Sequence, residues 1–226
     1  MKIKIAILVS LFLILVSFKL DKNDLPEGFV YARSIIPDLE VELRYYSTNN
    51  FVGDTIDAYH ANKLIITKQT AEALKLVQED LLLQNLCLKV YDGYRPQEAV
   101  NHFMTWARNL NDTLNKQAFY PDVNKRHLFQ EGYIASKSGH SRGSTLDLTI
   151  IDADTQEALD MGSPYDFFGV ASWVDFQNIS EKQKANRQLL QAVMLKHGFR
   201  NYPKEWWHFT LINEPFPDTY FNFPVE

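Results

Sequence analysis

A single cysteine, Cys87, stands in this chain of 226 residues. Neither an internal disulfide nor a cysteine-based zinc cluster can hold such a fold together, so buried apolar surface has to do it. The length suffices for one domain of about 200 residues after any leader. Hydrophobic residues make up 46% and charged residues 23%, a globular balance that excludes disordered and fibrous classes. Aromatic residues reach 13%, with 11 Tyr and 15 Phe, which predicts a ring-rich core and pocket. Any metal must be held by histidines and carboxylates.

The net charge is −5. The first twenty residues hold three lysines and no acid, so the remainder carries 20 basic against 28 acidic residues. No basic stripe interrupts that balance, which argues against a nucleic-acid partner. At the N-terminus, Lys2 and Lys4 precede an uncharged run from Ile5 to Phe18. The run is shorter than the roughly 20 residues of a membrane span and matches the charged and apolar regions of an export signal. No cysteine stands directly after it to carry a lipid anchor, and Leu15-Val16-Ser17 is a poor cleavage site. Residues 1–20 are therefore expected to be a signal peptide or a short N-terminal membrane anchor. The protein is expected to be exported, to the periplasm or cell envelope of a bacterium.

Three helices are legible. Over Thr67–Leu83, the residues Ala71, Leu74, Val77 and Leu81 form one apolar stripe. After Arg95-Pro96, Val100, Phe103, Ala107, Leu110 and Leu114 predict a helix over Gln97–Leu114, with proline at its entrance. Ser180 and Gln183 form a capping box for a third helix, which Gly198 ends. Leu86–Tyr91, Thr145–Ile151 and Trp207–Ile212 read as strands. Helices and strands do not alternate strictly, so the expectation is a single α+β domain with a mostly antiparallel central sheet flanked by helices.

Candidate chemistry gathers at three places. In Ser138-Gly139-His140-Ser141-Arg142-Gly143-Ser144-Thr145-Leu146-Asp147, alternation along the strand sends Leu146, Leu148 and Ile150 to the core and Asp147 to the opposite face. A loop His140 and a strand Asp147 could meet on one cation, and imidazole plus carboxylate suits zinc. Spacing alone is a weak signal and favours a purely structural pair. In Glu205-Trp206-Trp207-His208-Phe209, a general base and a metal ligand share one side if the chain turns at Glu205 before a strand beginning near Trp207. An aromatic core strand is the plain alternative. In Tyr91-Asp92-Gly93-Tyr94-Arg95-Pro96, Arg95 at a strand–helix junction could bind an oxyanion or carboxylate, or simply make a surface ion pair. His197, in the last turn of the third helix, suits the helix dipole. His60, His102 and His127 lack partners at ligand spacing, and Cys87 has no catalytic context.

Together YDGYRP at 91–96, SGHSRGSTLDLT at 138–149 and EWWHF at 205–209 resemble the VanX-type D-alanyl-D-alanine dipeptidases, which are zinc peptidases. LRYYSTNNFVG at 43–53 and MGSPYDF at 161–167 extend the resemblance over roughly residues 28–226. It implies one zinc ion per chain, held by His140, Asp147 and His208. It implies Glu205 as the base that activates water and returns the proton to the leaving amine, and Arg95 as the stabiliser of the oxyanion. Asp166 would anchor the ammonium of a small D,D-dipeptide substrate, with Ser138 assisting. A D,D-carboxypeptidase acting on longer muropeptides is the alternative within the same superfamily. Two features depart from the resistance enzymes of this kind: the expected export, and the segment Phe168-Gly169-Val170-Ala171-Ser172-Trp173 after the Asp166 loop.

Overall fold

The computed structural model describes residues 25–226, so the expected leader over 1–20 lies outside the described residues. The strands are β1 (Phe29–Tyr31), β2 (Glu40–Val41), β3 (Ile65–Thr67), β4 (Leu86–Asp92), β5 (Thr145–Asp152), β6 (Phe199–Tyr202) and β7 (Glu205–Leu211). The helices are α1 (Lys68–Leu82), α2 (Gln97–Arg108), the single turn α3 (Lys116–Phe119) and α4 (Glu181–Lys196). Five strands form a sheet in the order β2-β4-β5-β7-β6, in which only the β2–β4 pair is parallel. β1 and β3 make a separate antiparallel pair. The α+β architecture with a mostly antiparallel sheet is the one the element order predicts.

β5 is the middle strand. Leu146, Leu148 and Ile150 are completely buried, as their alternation requires, and Thr145, Asp147 and Thr149 on the other face are buried too. Both faces of the strand are therefore covered, and a Leu148→Ala cavity would cost about 2–5 kcal/mol. Helix α1 starts where Thr67 accepts a hydrogen bond from the Thr70 amide, and its stripe of Ala71, Leu74, Val77 and Leu81 is fully buried. Helix α4 carries the complete Ser180–Gln183 capping box and ends before Gly198, at φ +84°. It packs against β6 and beside α1.

Two expected boundaries move. Helix α2 ends at Arg108 and does not reach Leu114. The chain turns at Asn109, whose carbonyl accepts from the Asp112 amide, and Leu110 and Leu114 are 40% and 75% exposed. The apolar periodicity ran past a polar Asn109-Leu110-Asn111-Asp112 stretch that prefers a turn. The last strand begins at Glu205, two residues earlier than expected, because the turn falls on Pro203-Lys204.

Candidate metal centre and active site

Strand pairing builds the site. Asp92 on β4 lies opposite Asp147 on β5, and Asp147 lies opposite His208 on β7. Directly paired residues share a face, so three functional side chains stand in one row across three strands. A register shift between Val90 and Asp92 re-aims the end of β4 into that row. His140 joins it from a 3-10 turn, Gly139–Arg142, that runs into β5. Gly143 closes the turn at φ +79°, and a Cβ there would collide with the Phe29 ring. Backbone conformation and space both demand glycine at that position.

Donor atoms of His140, Asp147 and His208 all lie within 4.8 Å of one another. His140 Nδ1 is 2.8 Å from the Gly93 carbonyl oxygen, so it carries the proton and Nε2 is left as the ligand atom. Nε2 is 3.4 Å from Asp147 Oδ2, and His208 Nδ1 is 3.1 Å from Asp147 Oδ1. Asp147 Oδ1 is buried without a hydrogen-bond partner, a costly state for a carboxylate oxygen unless it has a cation to bind. Burial pushes the Asp147 carboxyl up, but His140 and His208 outweigh it and hold the group well below the usual carboxylate range. Burial opposes charging of His208, yet Asp147 and Glu205 raise it to about 9. The set is two imidazoles and one ionised carboxylate, which fits zinc in a site that keeps an open position.

The trio is sealed on one side and open on the other. The side chains of His140 and Asp147 are 2% and 3% exposed, against 20% for both His208 and Glu205. Glu205 Oε2 stands 3.3 Å from His208 Nδ1, so the two side chains share the open side as expected. A turn at Glu205 is not what brings them there. Tyr202 pairs with Glu205 while the adjacent Asn201 pairs with Phe209, so β7 bulges across Trp206–His208 and breaks the alternation. Trp206 and Trp207, within the bulge, are both buried.

Arg95, Asp166, Ser138 and Glu205 line the same cavity of about 300 Å³ as the three donors. Arg95 is held by the buried Asp92, with Nε and one Nη each 2.9 Å from Oδ2. Its guanidinium lies 5.0 Å from the centre of the Tyr45 ring, and the same Nη is 3.6 Å from Asp147. Among the described residues the other Nη makes no hydrogen bond or ion pair. Asp166 is 6% exposed and adopts φ +60°, a backbone strain of the kind that functional sites retain. Burial, and then the nearby Asp147 charge, raise its carboxyl well above the usual value. Ser138 accepts from the His140 amide at 3.3 Å, so it supports the ligand turn as well as facing the cavity. His102 pairs with Asp57 at 3.1 Å and His197 with Asp80 at 2.6 Å, outside the site.

Three residues escaped the sequence reading. The Tyr45 hydroxyl donates to Asp166 Oδ2 at 2.8 Å. The Tyr165 hydroxyl is 3.2 Å from Asp147 Oδ2. Asp92 accepts from the Tyr59 hydroxyl at 2.6 Å as well as from Arg95. All three sat inside the motifs, but no spacing rule pointed to their partners.

The profile of the peptidase M15 family, described as D-ala-D-ala dipeptidase, matches residues 26–226. A D-alanyl-D-alanine dipeptidase of Enterococcus faecalis is 40% identical over 198 residues, which is 88% of this chain and 98% of the relative. One from Streptomyces coelicolor is 38% identical, covering 87% of this chain and 98% of its own. One from Escherichia coli is 33% identical, covering 78% and 81%.

Proposed function

This chain belongs to the peptidase M15 family of D-Ala-D-Ala dipeptidases, and from that membership we propose the following division of labour among its residues. The protein is a zinc metallopeptidase that hydrolyses D-alanyl-D-alanine to two molecules of D-alanine. His140, Asp147 and His208 hold the zinc. The observation that carries this reading is the convergence of these three donors within 4.8 Å in one cavity with Glu205, Arg95 and Asp166.

Zinc supplies Lewis acidity there, polarising the scissile carbonyl and making water a competent nucleophile near neutral pH. Glu205, on the open side of the trio, takes the proton from the attacking water as its oxygen bonds to the carbonyl carbon. As the C–N bond breaks, Glu205 returns that proton to the leaving amine. Arg95, its guanidinium fixed by Asp92, directs its free Nη at the oxygen on which charge develops. Asp166 pairs with the substrate ammonium, and the Tyr45 hydrogen bond holds its carboxylate in place. Asp166 is also the reason to favour a dipeptide over a longer muropeptide. An amino-terminal extension would have to pass a buried carboxylate and leave it unpaired.

The test is release of D-alanine from D-Ala-D-Ala by the zinc-loaded protein and by Glu205→Ala, beside a D-Ala-D-Ala-terminated pentapeptide. Hydrolysis of the dipeptide alone, lost in the variant, is expected. Cleavage of the pentapeptide would move the protein to the carboxypeptidases and remove the role given to Asp166.

We also propose that the protein works outside the cytoplasm, in cell-wall peptide turnover or scavenging. Lys2, Lys4 and the uncharged Ile5–Phe18 run support this as an export signal, with membrane attachment only through that segment where it stays uncleaved. Cell fractionation with N-terminal sequencing of the recovered protein is the check. A protein found wholly in the cytoplasm with Met1 intact would reverse it.

A further inference from the structure

A free dipeptide carries an ammonium and a carboxylate, and the roles above account only for the ammonium. Of the carboxyl groups that line the cavity, Asp147, Asp166 and Glu205, the first would be engaged by zinc and the second by the substrate ammonium, so the substrate carboxylate needs a cation of its own. Apart from histidines, two cationic side chains line the cavity, Arg95 and Lys137. Arg95 is committed: Asp92 takes two of its N–H groups at 2.9 Å, and its remaining Nη is the one given to the oxyanion.

Lys137 is in a different state. It is exposed, on a bend directly before Ser138. Among the described residues its ammonium has no carboxylate partner and rests 4.7 Å from the centre of the Tyr220 ring. An exposed contact of that kind is weak, and exchanging it for a charge-assisted hydrogen bond is favourable. The three carboxylates and the two cations are also unevenly placed. Asp147 and Asp166 are buried, whereas Lys137 stands at the rim. A dipeptide laid with its ammonium on Asp166 therefore turns its carboxylate outward, away from the buried acids and toward Lys137.

We propose that Lys137 is the residue that binds the C-terminal carboxylate of the substrate, an assignment that rests on the dipeptidase reading. It makes the free carboxylate a specificity element. Charge at that end then separates good substrates from poor ones.

The experiment compares D-Ala-D-Ala with its C-terminal amide on the zinc-loaded wild type, Lys137→Met and Lys137→Arg. Wild type should prefer the acid over the amide by about tenfold in kcat/KM, mainly through KM. Lys137→Met should bring that ratio close to one, and Lys137→Arg should restore most of it. An acid-to-amide ratio unchanged in Lys137→Met would overturn the assignment. Calorimetric binding of the two compounds in the Glu205→Ala background, with and without Lys137→Met, asks the same question without turnover. If neither compound is hydrolysed by wild type, the dipeptidase reading fails by itself, while a preference for binding the acid that survives the added Lys137→Met sinks the Lys137 assignment separately.

Discussion

The Tyr165 hydroxyl lies 3.2 Å from Oδ2 of Asp147, on the carboxylate oxygen opposite the unpartnered Oδ1. One oxygen of the carboxylate is thereby held by a hydroxyl, while the other, 3.1 Å from His208 Nδ1 but without a hydrogen bond, would be available to a metal. Tyr165 is also 3.3 Å from the Tyr45 hydroxyl, which in turn holds Asp166. A chain of two hydroxyls thus joins the proposed metal ligand to the proposed ammonium anchor. Groups that orient a metal ligand commonly contribute 10–100-fold to affinity. Tyr165→Phe should weaken zinc binding about tenfold and cost about 1 kcal/mol of stability for the lost hydrogen bond. Competition against a chromophoric chelator measures the first effect. Unchanged zinc affinity would show that Asp147 needs no such support.

Asp92 should act through Arg95. It is fully buried, and it joins the Tyr59 hydroxyl at 2.6 Å to Arg95 at 2.9 Å. Asp92→Asn should lower kcat by about 10²-fold, close to the loss expected from removing an oxyanion donor, with zinc content retained. Arg95→Ala should cost a similar factor. Because both variants remove one function, the double variant should be little worse than Arg95→Ala alone. Additive losses would instead assign Asp92 to the general stability of the fold.

The legible parts of this molecule were those written in local pattern. Helices α1 and α4 followed from an apolar stripe and a capping box, and β5 from its alternating leucines. His140, Asp147, His208 and Glu205 lay in short motifs whose residue types already suggested a cation site. What stayed hidden depended on tertiary pairing. β2 has two residues and exists because Val41 finds Val90 across the sheet. Tyr45 and Tyr165 are 120 residues apart in sequence, so no spacing could join them. The shared side of Glu205 and His208 was anticipated for the wrong local reason. A bulge within β7 achieves it, and bulges are set by the neighbouring strand.

The ends of α1 and α4 should give the protein a simple acid response. Asp80 on α1 accepts from Lys196 and from His197 at the end of α4. The hydrogen bond from Lys196, followed by that from His197, holds its carboxyl below the ordinary value of 3.8. A carboxyl lowered in the folded state binds its proton more readily when unfolded. The pair therefore stabilises fully above pH 3.8, and that contribution disappears as the pH falls through the lower folded value. Asp80→Asn should have a lower Tm than wild type at pH 7, and the gap should close at the acid end of a series from pH 7 to pH 3. A gap that persists undiminished there would mean the carboxylate charge is not what joins the helices.

Metal removal should be felt in stability as well as in turnover. Without a cation, Asp147 keeps a buried and unpartnered oxygen, and zinc bound to the folded chain shifts the folding equilibrium by mass action. At 100-fold excess over its dissociation constant a ligand adds about 2.7 kcal/mol. Tm should therefore fall on dialysis against a chelator and climb again with added zinc, in step with recovered hydrolysis. His140→Ala should abolish the zinc-dependent part of that rise, because the turn from Gly139 to Arg142 would then deliver no ligand to the row formed by Asp147 and His208. Thermal scans of both proteins across a zinc titration decide the matter: an equal zinc-induced rise in the variant would place the stabilising ion somewhere other than this trio.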